Sequence, residues 1–504
     1  MELTGRALTL EQIHQVAEGA VALQLSADAL ARIEASREVV ERLLRENKVM
    51  YGVNTGFGKL ADVYIPHDQI DQLQVNIVRS HASGLGDPLS PAETRALMLL
   101  RANVLAAGFS GCRPVVVDTL LQMLNADVLP LVPEKGSVGA SGDLAPLAHL
   151  AMGLIGESEC LHRGQRKPSC EALKSAGIQP LHLSAKEGLA LLNGTQAMGS
   201  VGALALLRAE RVTKLADLAG AISLEALRGT PVAFDARIHN ARPHPGQQAS
   251  AAHLRDLLEH SEIRESHRNG DPRVQDAYCL RCMPQVHGAV RTALGHARQI
   301  VEIESGSATD NPLIFADGVD GGEILSGGNF HGAPIAMQYD FAAIALTDLA
   351  SMMERRIDRL INPDLNDGLP PFLSASPGIS SGFMIAHVTA AALLNECKVL
   401  AHPASTDTVP TSGGKEDHVS MGMTSALKLR QIATNAEQIL AIEMMVAAEG
   451  LEYRRPLKSS ARVEGAFETI RTLVSRLTVD RSLSPDILGL SAAIRSGVFD
   501  AWTN

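Results

Sequence analysis

Lys135-Gly136-Ser137-Val138-Gly139-Ala140-Ser141-Gly142-Asp143 is a run of small residues that leads directly into an apolar segment. Asp143 is a favourable N-cap residue, so the run predicts a tight loop that opens a helix. Gly142 has no Cβ to block the approach of its amide nitrogen to the carbonyl carbon of Ala140. Formation of a bond between these two atoms, with loss of one water that carries the Ala140 oxygen and a second that carries the Ser141 hydroxyl, gives a methylidene-imidazolone ring. Such a ring is an electrophile, which ordinary nucleophilic and acid–base side chains do not provide.

Other interpretations of the glycine-rich run are weaker or less specific. A serine-hydrolase elbow requires G-x-S-x-G, and Asp143 stands at the last position here. A dinucleotide loop requires G-x-G-x-x-G, whereas these glycines are evenly spaced, and the lysine of a phosphate-binding loop is missing. A plain glycine-rich connection before a helix stays open on this segment alone, because isolated glycine motifs have low specificity.

Length and composition favour a large globular protein. The 504 residues exceed the usual size of one domain, so two lobes are expected, and 45% hydrophobic residues supply a large core. The formal charge of −11 disfavours nucleic acid and anionic membranes as partners. No apolar run of about 18 residues or more occurs, and the N-terminus lacks the pattern of a secretion signal. We therefore expect a cytoplasmic protein.

The six cysteines do not form the pattern of a disulfide scaffold in a chain of this length. Cys279 and Cys282 have the C-x-x-C spacing, but a second such pair or a paired histidine motif is missing. Two partly buried thiols explain this pair more simply than a zinc or redox site.

Helical periodicity dominates the rest of the chain and predicts a mainly α fold built around a helix bundle. Thr9 begins a capping box, and Gly229 and Gly450 are expected to end two long helices. The segment 239–275 is rich in His, Arg, Gly and Pro and is expected to be a polar connection. The predicted core stripes are Leu204, Leu207, Leu215, Leu218 and Ile222; Leu346, Leu349, Met353, Ile357 and Leu360; and Ile432, Ala436, Ile439, Leu440 and Met444.

Six segments together resemble the site segments of the aromatic amino acid ammonia-lyases, in the order of that family. Within the family, the histidine-specific members are the most similar. Several matching segments in the right order are far more specific than any one of them. The segments are 136–150, Tyr51–Gly58, Leu192–Gln196, Gln275–Tyr278, Gly327–Gly332 and Glu416–Met421.

The resemblance implies a mainly α architecture of the fumarase/aspartase-like superfamily. Residues 1–200 are expected to form an N-terminal lobe that carries the electrophile loop. Residues 201–504 are expected to form a central bundle of long helices with further C-terminal helices. The family is also homotetrameric, with sites that combine segments from different subunits.

The resemblance further implies that Ala140-Ser141-Gly142 forms 4-methylidene-imidazol-5-one, with no external cofactor and no metal. Loss of ammonia from an amino acid requires this electron sink, a base and recognition of the carboxylate. Tyr51 matches the base of the family, and Tyr278 is expected to shape the site and donate a hydrogen bond. Whether the substrate amine or its ring attacks the methylidene carbon stays open.

Four further residues match substrate contacts of the family. Arg281 follows Tyr278 by three residues, which places both on one face if the segment is helical, and its planar fork fits a carboxylate. Asn193 and Gln275 are neutral donors that are expected to orient the ring and the substrate carboxylate. Phe330 is expected to pack against the substrate or the ring.

The choice of substrate depends on two positions. His81, in a Ser-His pair, resembles the histidine-specific members, and Glu416 is a carboxylate that accepts a hydrogen bond from an imidazole. Lys415 and Gly413-Gly414 depart from the residues usual there, so the surroundings of Glu416 are expected to differ.

The pattern predicts an ammonia-lyase that converts L-histidine to trans-urocanate and ammonia in histidine catabolism. The partner is a small amino acid; nucleic acid and membrane are not expected as partners. The nearest alternative is a tyrosine or phenylalanine ammonia-lyase or an aminomutase. A catalytically silent helical relative that only binds a ligand is the remaining alternative.

Overall fold

The computed structural model describes residues 1–56, 62–318 and 321–503. This part of the chain contains nineteen α-helices and nine short strands, so the prediction of a mainly α fold is confirmed. The helices are α1 Leu10–Ala17, α2 Ala27–Arg45, α3 Ile70–His81, α4 Pro91–Ala106, α5 Pro114–Asn125, α6 Leu144–Leu154, α7 Ser169–Ala176, α8 Glu187–Leu192, α9 Gln196–Ala226, α10 Ala236–Asn240, α11 Pro245–Leu257, α12 Glu262–Ser266, α13 Tyr278–Arg281, α14 Met283–Ser305, α15 Ala333–Ile361, α16 Met384–Leu400, α17 Gly422–Glu452, α18 Ala461–Leu473 and α19 Ser484–Arg495.

The strands pair into small sheets. The strands are β1 Glu2–Leu3, β2 Gln24–Leu25, β3 Leu85–Pro88, β4 Val128–Pro130, β5 Pro133–Lys135, β6 Glu159–His162, β7 Gln165–Pro168, β8 Leu313–Phe315 and β9 Glu323–Leu325. β1 and β2 pair in parallel, whereas β3 with β5, β4 with β6, β6 with β7, and β8 with β9 are antiparallel.

The helix boundaries follow local capping chemistry. Thr9 accepts a hydrogen bond from the backbone of Gln12, whose side chain returns one, so the predicted capping box is confirmed. Helix α9 ends at Ala226, where Arg228 takes a left-handed conformation with φ 52°. The Gly229 amide then donates to the Leu224 carbonyl at 2.7 Å, which is the hydrogen bond of a Schellman motif. The predicted stop near Gly229 is therefore confirmed.

Two predictions about helices were wrong. Helix α17 continues through Gly450 to Glu452. Gly450 is there because the helix packs closely against Ala226: a Cβ added to Gly450 would lie 2.9 Å from the Ala226 Cβ. The segment 239–275 is not only a polar connection, since it contains the last two residues of α10 and all of α11 and α12. Helix α11 buries five residues along one face despite its polar composition: Gln247, Ser250, Ala251, Leu254 and Leu257.

The described residues divide into two compact units. The first consists of Met1–Leu204, Ala297–Asp340 and Pro403–Leu427, and it contains all nine strands. Its helix α4 is buried around almost its whole circumference. The second consists of Ala205–His296, Phe341–His402 and Lys428–Asn504. The division into residues 1–200 and 201–504 stays a prediction.

The second unit is built from long helical segments with aliphatic cores. The stripe from Leu346 to Leu360 is fully buried, as predicted. Asp217 is also buried there, where it accepts hydrogen bonds from the side chains of Ser250, His253 and His287, among others. These contacts stabilise the ionised form and hold the pKa of Asp217 below its usual value against the effect of burial. Within the described residues, no helix is both long and apolar enough to cross a membrane.

Candidate active site

The first unit contains a cavity of about 920 Å³. Residues from five of the six segments singled out in the sequence reach its wall. Seven of the predicted site residues line it: Tyr51, His81, Ala140, Ser141, Asn193, Phe330 and Glu416. In the segment that begins with Tyr51, Phe57 and Gly58 lie outside the described residues.

The loop that carries Ala140-Ser141-Gly142 is held by backbone hydrogen bonds from distant segments. The Val138 carbonyl accepts from the Met421 amide at 2.8 Å. The Gly139 carbonyl accepts from the Ser420 hydroxyl at 2.9 Å and from the Gly332 amide at 3.2 Å. These contacts fix the N-terminal side of the triplet.

On the other side, Gly142 lies against the backbone of Gly194. Gly142 has φ 74°, and an added Cβ would lie 2.2 Å from the Gly194 oxygen, so only glycine fits. The next residue, Asp143, donates its amide hydrogen to the same oxygen at 2.7 Å. The triplet is therefore clamped at both ends, and the predicted opening of a helix after Asp143 is confirmed by α6.

Asp143 is a fully buried carboxyl at the base of the loop. Its Oδ1 accepts from the Ser137 hydroxyl at 2.7 Å, and its Oδ2 accepts from the Met198 amide at 2.8 Å. Burial raises the pKa of Asp143 to about 6, although these hydrogen bonds act in the opposite direction. Sequence reasoning gave Asp143 no role beyond the start of the helix.

Glu416 reaches both the triplet and its own turn. Its Oε1 accepts from the Ser141 hydroxyl at 2.5 Å, and its Oε2 accepts from the Thr411 hydroxyl at 2.7 Å. The turn from Thr411 to Glu416 requires left-handed backbone, since Gly413 and Gly414 have φ 64° and 81°. This requirement explains the Gly413-Gly414 pair that departs from the family pattern.

Lys415 also lines the cavity and is exposed to solvent. Across the part of the chain that the structure describes, no ion pair joins Lys415 to Glu416. Lys415 therefore does not neutralise the Glu416 carboxylate by direct contact in this structure.

His81 is the last residue of helix α3. Its Nδ1 lies 2.9 Å from the Ile77 carbonyl, which only accepts hydrogen bonds. This contact assigns the proton of a neutral imidazole to Nδ1 and leaves Nε2 as an acceptor. His81 and Glu416 thus bring two acceptors to one cavity.

Asn193 lies between the cavity and the buried backbone behind it. Its Nδ2 donates to the Asn311 carbonyl at 3.4 Å. Its Oδ1 is buried, and no other described residue donates to it. An orphaned buried acceptor of this kind is suited to receive a donor from a ligand or from a modified loop.

The cavity also contains residues to which sequence reasoning gave no role. Asn311 accepts from the Gly327 amide through Oδ1 at 2.7 Å, which joins two stretches of the wall. His331 and His418 have stacked rings with centroids 5.7 Å apart. Both histidines lie inside segments that matched the family, which was the available signal. Asn311 lies in an Asp-Asn-Pro sequence, which predicts a turn and gives no sign of a functional residue.

Three predicted residues belong to the second unit: Gln275, Tyr278 and Arg281. The lining of the cavity does not contain them. Tyr278 and Arg281 share the short helix α13, and the Arg281 guanidinium carbon lies 4.5 Å from the centroid of the Tyr278 ring. Their expected position on one helical face is thus observed. Tyr278 is 69% exposed in the single chain.

A family model described as aromatic amino acid lyase matches residues 8–472 of this chain. Histidine ammonia-lyase of Stigmatella aurantiaca is 53% identical over 497 residues, which cover 99% of this chain and 96% of that protein. Histidine ammonia-lyase of Koribacter versatilis is 51% identical over 506 residues, with 99% and 98% covered.

Solved structures share the fold along the whole chain. Histidine ammonia-lyase from Trypanosoma cruzi has a TM-score of 0.93 at 41% identity and covers 100% of this chain, which covers 94% of that one. Tyrosine aminomutase from Streptomyces globisporus has a TM-score of 0.94 at 39% identity, with 100% and 98% covered. The fold alone therefore does not separate an ammonia-lyase from an aminomutase.

Proposed function

The chain belongs to the aromatic amino acid lyase family, and from this membership we propose that it converts L-histidine to trans-urocanate and ammonia. It is therefore a carbon–nitrogen lyase. Relatives named histidine ammonia-lyase that are about half identical over nearly the full length support the choice of histidine. The observation that carries the proposal is the joint presence of Ser141, Tyr51, His81 and Glu416 in one cavity.

The residues of the triplet fit formation of 4-methylidene-imidazol-5-one. A bond from the Gly142 nitrogen to the Ala140 carbonyl carbon releases that oxygen as water with the amide hydrogens of Ser141 and Gly142. A second water takes the Ser141 hydroxyl and its α-hydrogen. The clamped loop and the close contact of Gly142 with Gly194 favour this closure. When formed, the ring supplies an electrophilic methylidene carbon to the substrate.

We assign the base to Tyr51, whose side chain lines the same cavity as Ser141. Its phenol oxygen takes the β-hydrogen of the substrate as a proton. General bases contribute typically about two to four orders of magnitude to a rate. Phe330 forms an apolar part of the wall and packs against the substrate.

His81 and Glu416 hold the imidazole of the substrate. An imidazolium presents two N–H donors, and this cavity offers the acceptor Nε2 of His81 and the carboxylate of Glu416. A phenol offers one donor and a phenyl ring none. Either would leave at least one acceptor unpaired, which disfavours tyrosine and phenylalanine.

We further propose a homotetramer in which Gln275, Tyr278 and Arg281 of another copy complete the cavity. In the single chain Gln275 and Tyr278 are exposed. Helix α15 exposes Met337, Phe341 and Ile344 at helical spacing, a face that a second copy would cover. Arg281 then holds the substrate carboxylate. Light scattering that reports an active monomer would contradict this assembly.

The substrate proposal is tested with histidine, tyrosine and phenylalanine in separate incubations. The near-ultraviolet absorbance of each unsaturated acid and the released ammonia are followed. We expect product from histidine and at most traces from the others. Preference for tyrosine would overturn the proposal. Because a tyrosine aminomutase shares the fold, mass spectrometry of the products also tests for a β-amino acid. The cytoplasm remains the proposed location.

A further inference from the structure

Arg101 is a fully buried cation with almost no partners. It lies on helix α4, and its side chain is among the largest that are completely buried. Its Nη1 donates to the Asn193 carbonyl at 2.6 Å. Its Nε and Nη2 are buried, and no described residue accepts from them.

Neighbouring charges do not neutralise this guanidinium. The carboxylate whose charge acts on it is that of Asp310, whose Oδ2 already lies 2.8 Å from the Nζ of Lys186, and both of these side chains are fully buried. One of the two cations is therefore in excess. A buried charge with one hydrogen bond is costly for the fold. This cost indicates that the single contact of Arg101 has a function.

That contact lies directly behind the triplet. Asn193 and Gly194 share one peptide group, whose carbonyl faces Arg101, and an added Cβ on Gly194 would lie 2.9 Å from the Arg101 Nη1. On the opposite side, Gly142 pairs with Gly194 as in a parallel bridge. The guanidinium, the Asn193–Gly194 backbone and Gly142 thus form three layers in direct contact.

We propose that Arg101 is a positioning residue for ring formation, an inference that rests on the proposed function. It fixes the Asn193–Gly194 peptide so that Gly142 cannot relax away from Ala140. Closure of the Gly142 nitrogen on the Ala140 carbonyl carbon depends on this support.

The test compares Arg101→Met with wild-type protein by two independent measurements. Mass spectrometry of the peptide with residues 140–142 reports the loss of two waters, and circular dichroism with thermal unfolding reports the fold. We expect wild-type helicity and an unchanged or higher unfolding midpoint, because an unpaired buried charge is removed. The unmodified peptide should increase about tenfold or more, because a charge-assisted hydrogen bond is lost.

Arg95→Met is the matched control on the same helix. Arg95 pairs with Asp127 at 2.6 Å and has no contact with the triplet, so this variant should form the ring normally. Arg101→Lys keeps the charge and a donor to the Asn193 carbonyl, so it should form more of the ring than Arg101→Met does.

A folded Arg101→Met protein with a fully dehydrated triplet would overturn the inference. If this variant does not fold, Arg101→Gln replaces it, since glutamine keeps a donor to the Asn193 carbonyl without the charge. Failure of both variants to fold would make Arg101 a structural residue and would also overturn the inference. Wild-type protein without the loss of two waters would instead contradict the proposed function.

Discussion

The Ser141 hydroxyl donates a hydrogen bond to Oε1 of Glu416 at 2.5 Å, across a separation of 275 positions in the chain. A carboxylate proposed to hold the substrate ring thus lies next to the residue that is proposed to become the electrophile. If both proposed roles hold, the substrate ring binds beside the carbon that reacts.

Replacement of Glu416 by glutamine tests this arrangement. The amide weakens the acceptor and adds a donor at almost the same size, so activity on histidine should fall steeply. Traces of activity on tyrosine or phenylalanine should hold or rise. The measurement is kcat/KM for the three substrates.

The double variant Lys415→Gln with Glu416→Gln separates the contribution of the neighbouring cation. Because no ion pair joins Lys415 to Glu416 within the described chain, the two effects should be nearly additive. Equal losses on all three substrates would contradict the assignment to histidine.

Much of the site was predictable because it is carried by short local patterns. The glycine run, the start of a helix after Asp143 and the segments of Tyr51, His81, Asn193, Phe330 and Glu416 are each recognisable within a few residues. The structure places Ala140, Ser141 and these five residues around one cavity. Their roles stay proposals, and the substitutions of Glu416, Ser141 and Tyr51 test three of them.

The remainder was not predictable because it depends on contacts between distant residues. Arg101 stands in an apolar helical run, and nothing in that run shows that its partner is the carbonyl of Asn193. The sequence predicts that a helix ends at Gly450, whereas packing against Ala226 makes Gly450 an interior position of helix α17. Local propensity cannot report such close approaches.

Ser141→Ala removes the hydroxyl that leaves as the second water. The protein should fold, since Ser141 is at the surface of the cavity, but the methylidene carbon cannot form. We expect activity near the detection limit and a wild-type unfolding midpoint. Peptide mass spectrometry should show loss of two waters only in the wild-type protein. Full activity with the triplet peptide at its unmodified mass would contradict the electrophile.

Tyr51→Phe should leave the ring and the fold intact while elimination falls by about two to four orders of magnitude, because the proposed proton acceptor is lost. Tyr64→Phe is the matched control, since Tyr64 is 51% exposed and does not line the cavity. Rates with histidine and the mass of the triplet peptide are measured for both. A rate near wild type in Tyr51→Phe would move the base role to another group.

Arg281→Lys keeps the charge but removes the two-pronged contact with a carboxylate, so kcat/KM should fall by about ten- to a hundredfold. Its guanidinium also lies over the Tyr278 ring, a contact that lysine reproduces less well. Arg268→Lys, at a side chain that is 61% exposed, provides the control. An unchanged kcat/KM in Arg281→Lys would remove this residue from the site.

Asp143→Asn tests the buried carboxyl beneath the loop through the pH dependence of stability. Burial raises its pKa from 3.8 to about 6, so the folded protein holds this proton more tightly than the unfolded chain does. The corresponding contribution to stability is complete below about pH 4 and is lost as the pH rises through about 6. Its size is about 3 kcal/mol.

The asparagine variant lacks this titration and still offers an acceptor to the Met198 amide. Its unfolding midpoint relative to wild type should therefore rise between about pH 4 and pH 6 and then stay constant at higher pH. Asp68→Asn, at an exposed position, is the matched control. Parallel midpoints for Asp143→Asn and wild type across this range would show that the Asp143 carboxyl is not protonated in the folded protein near pH 5.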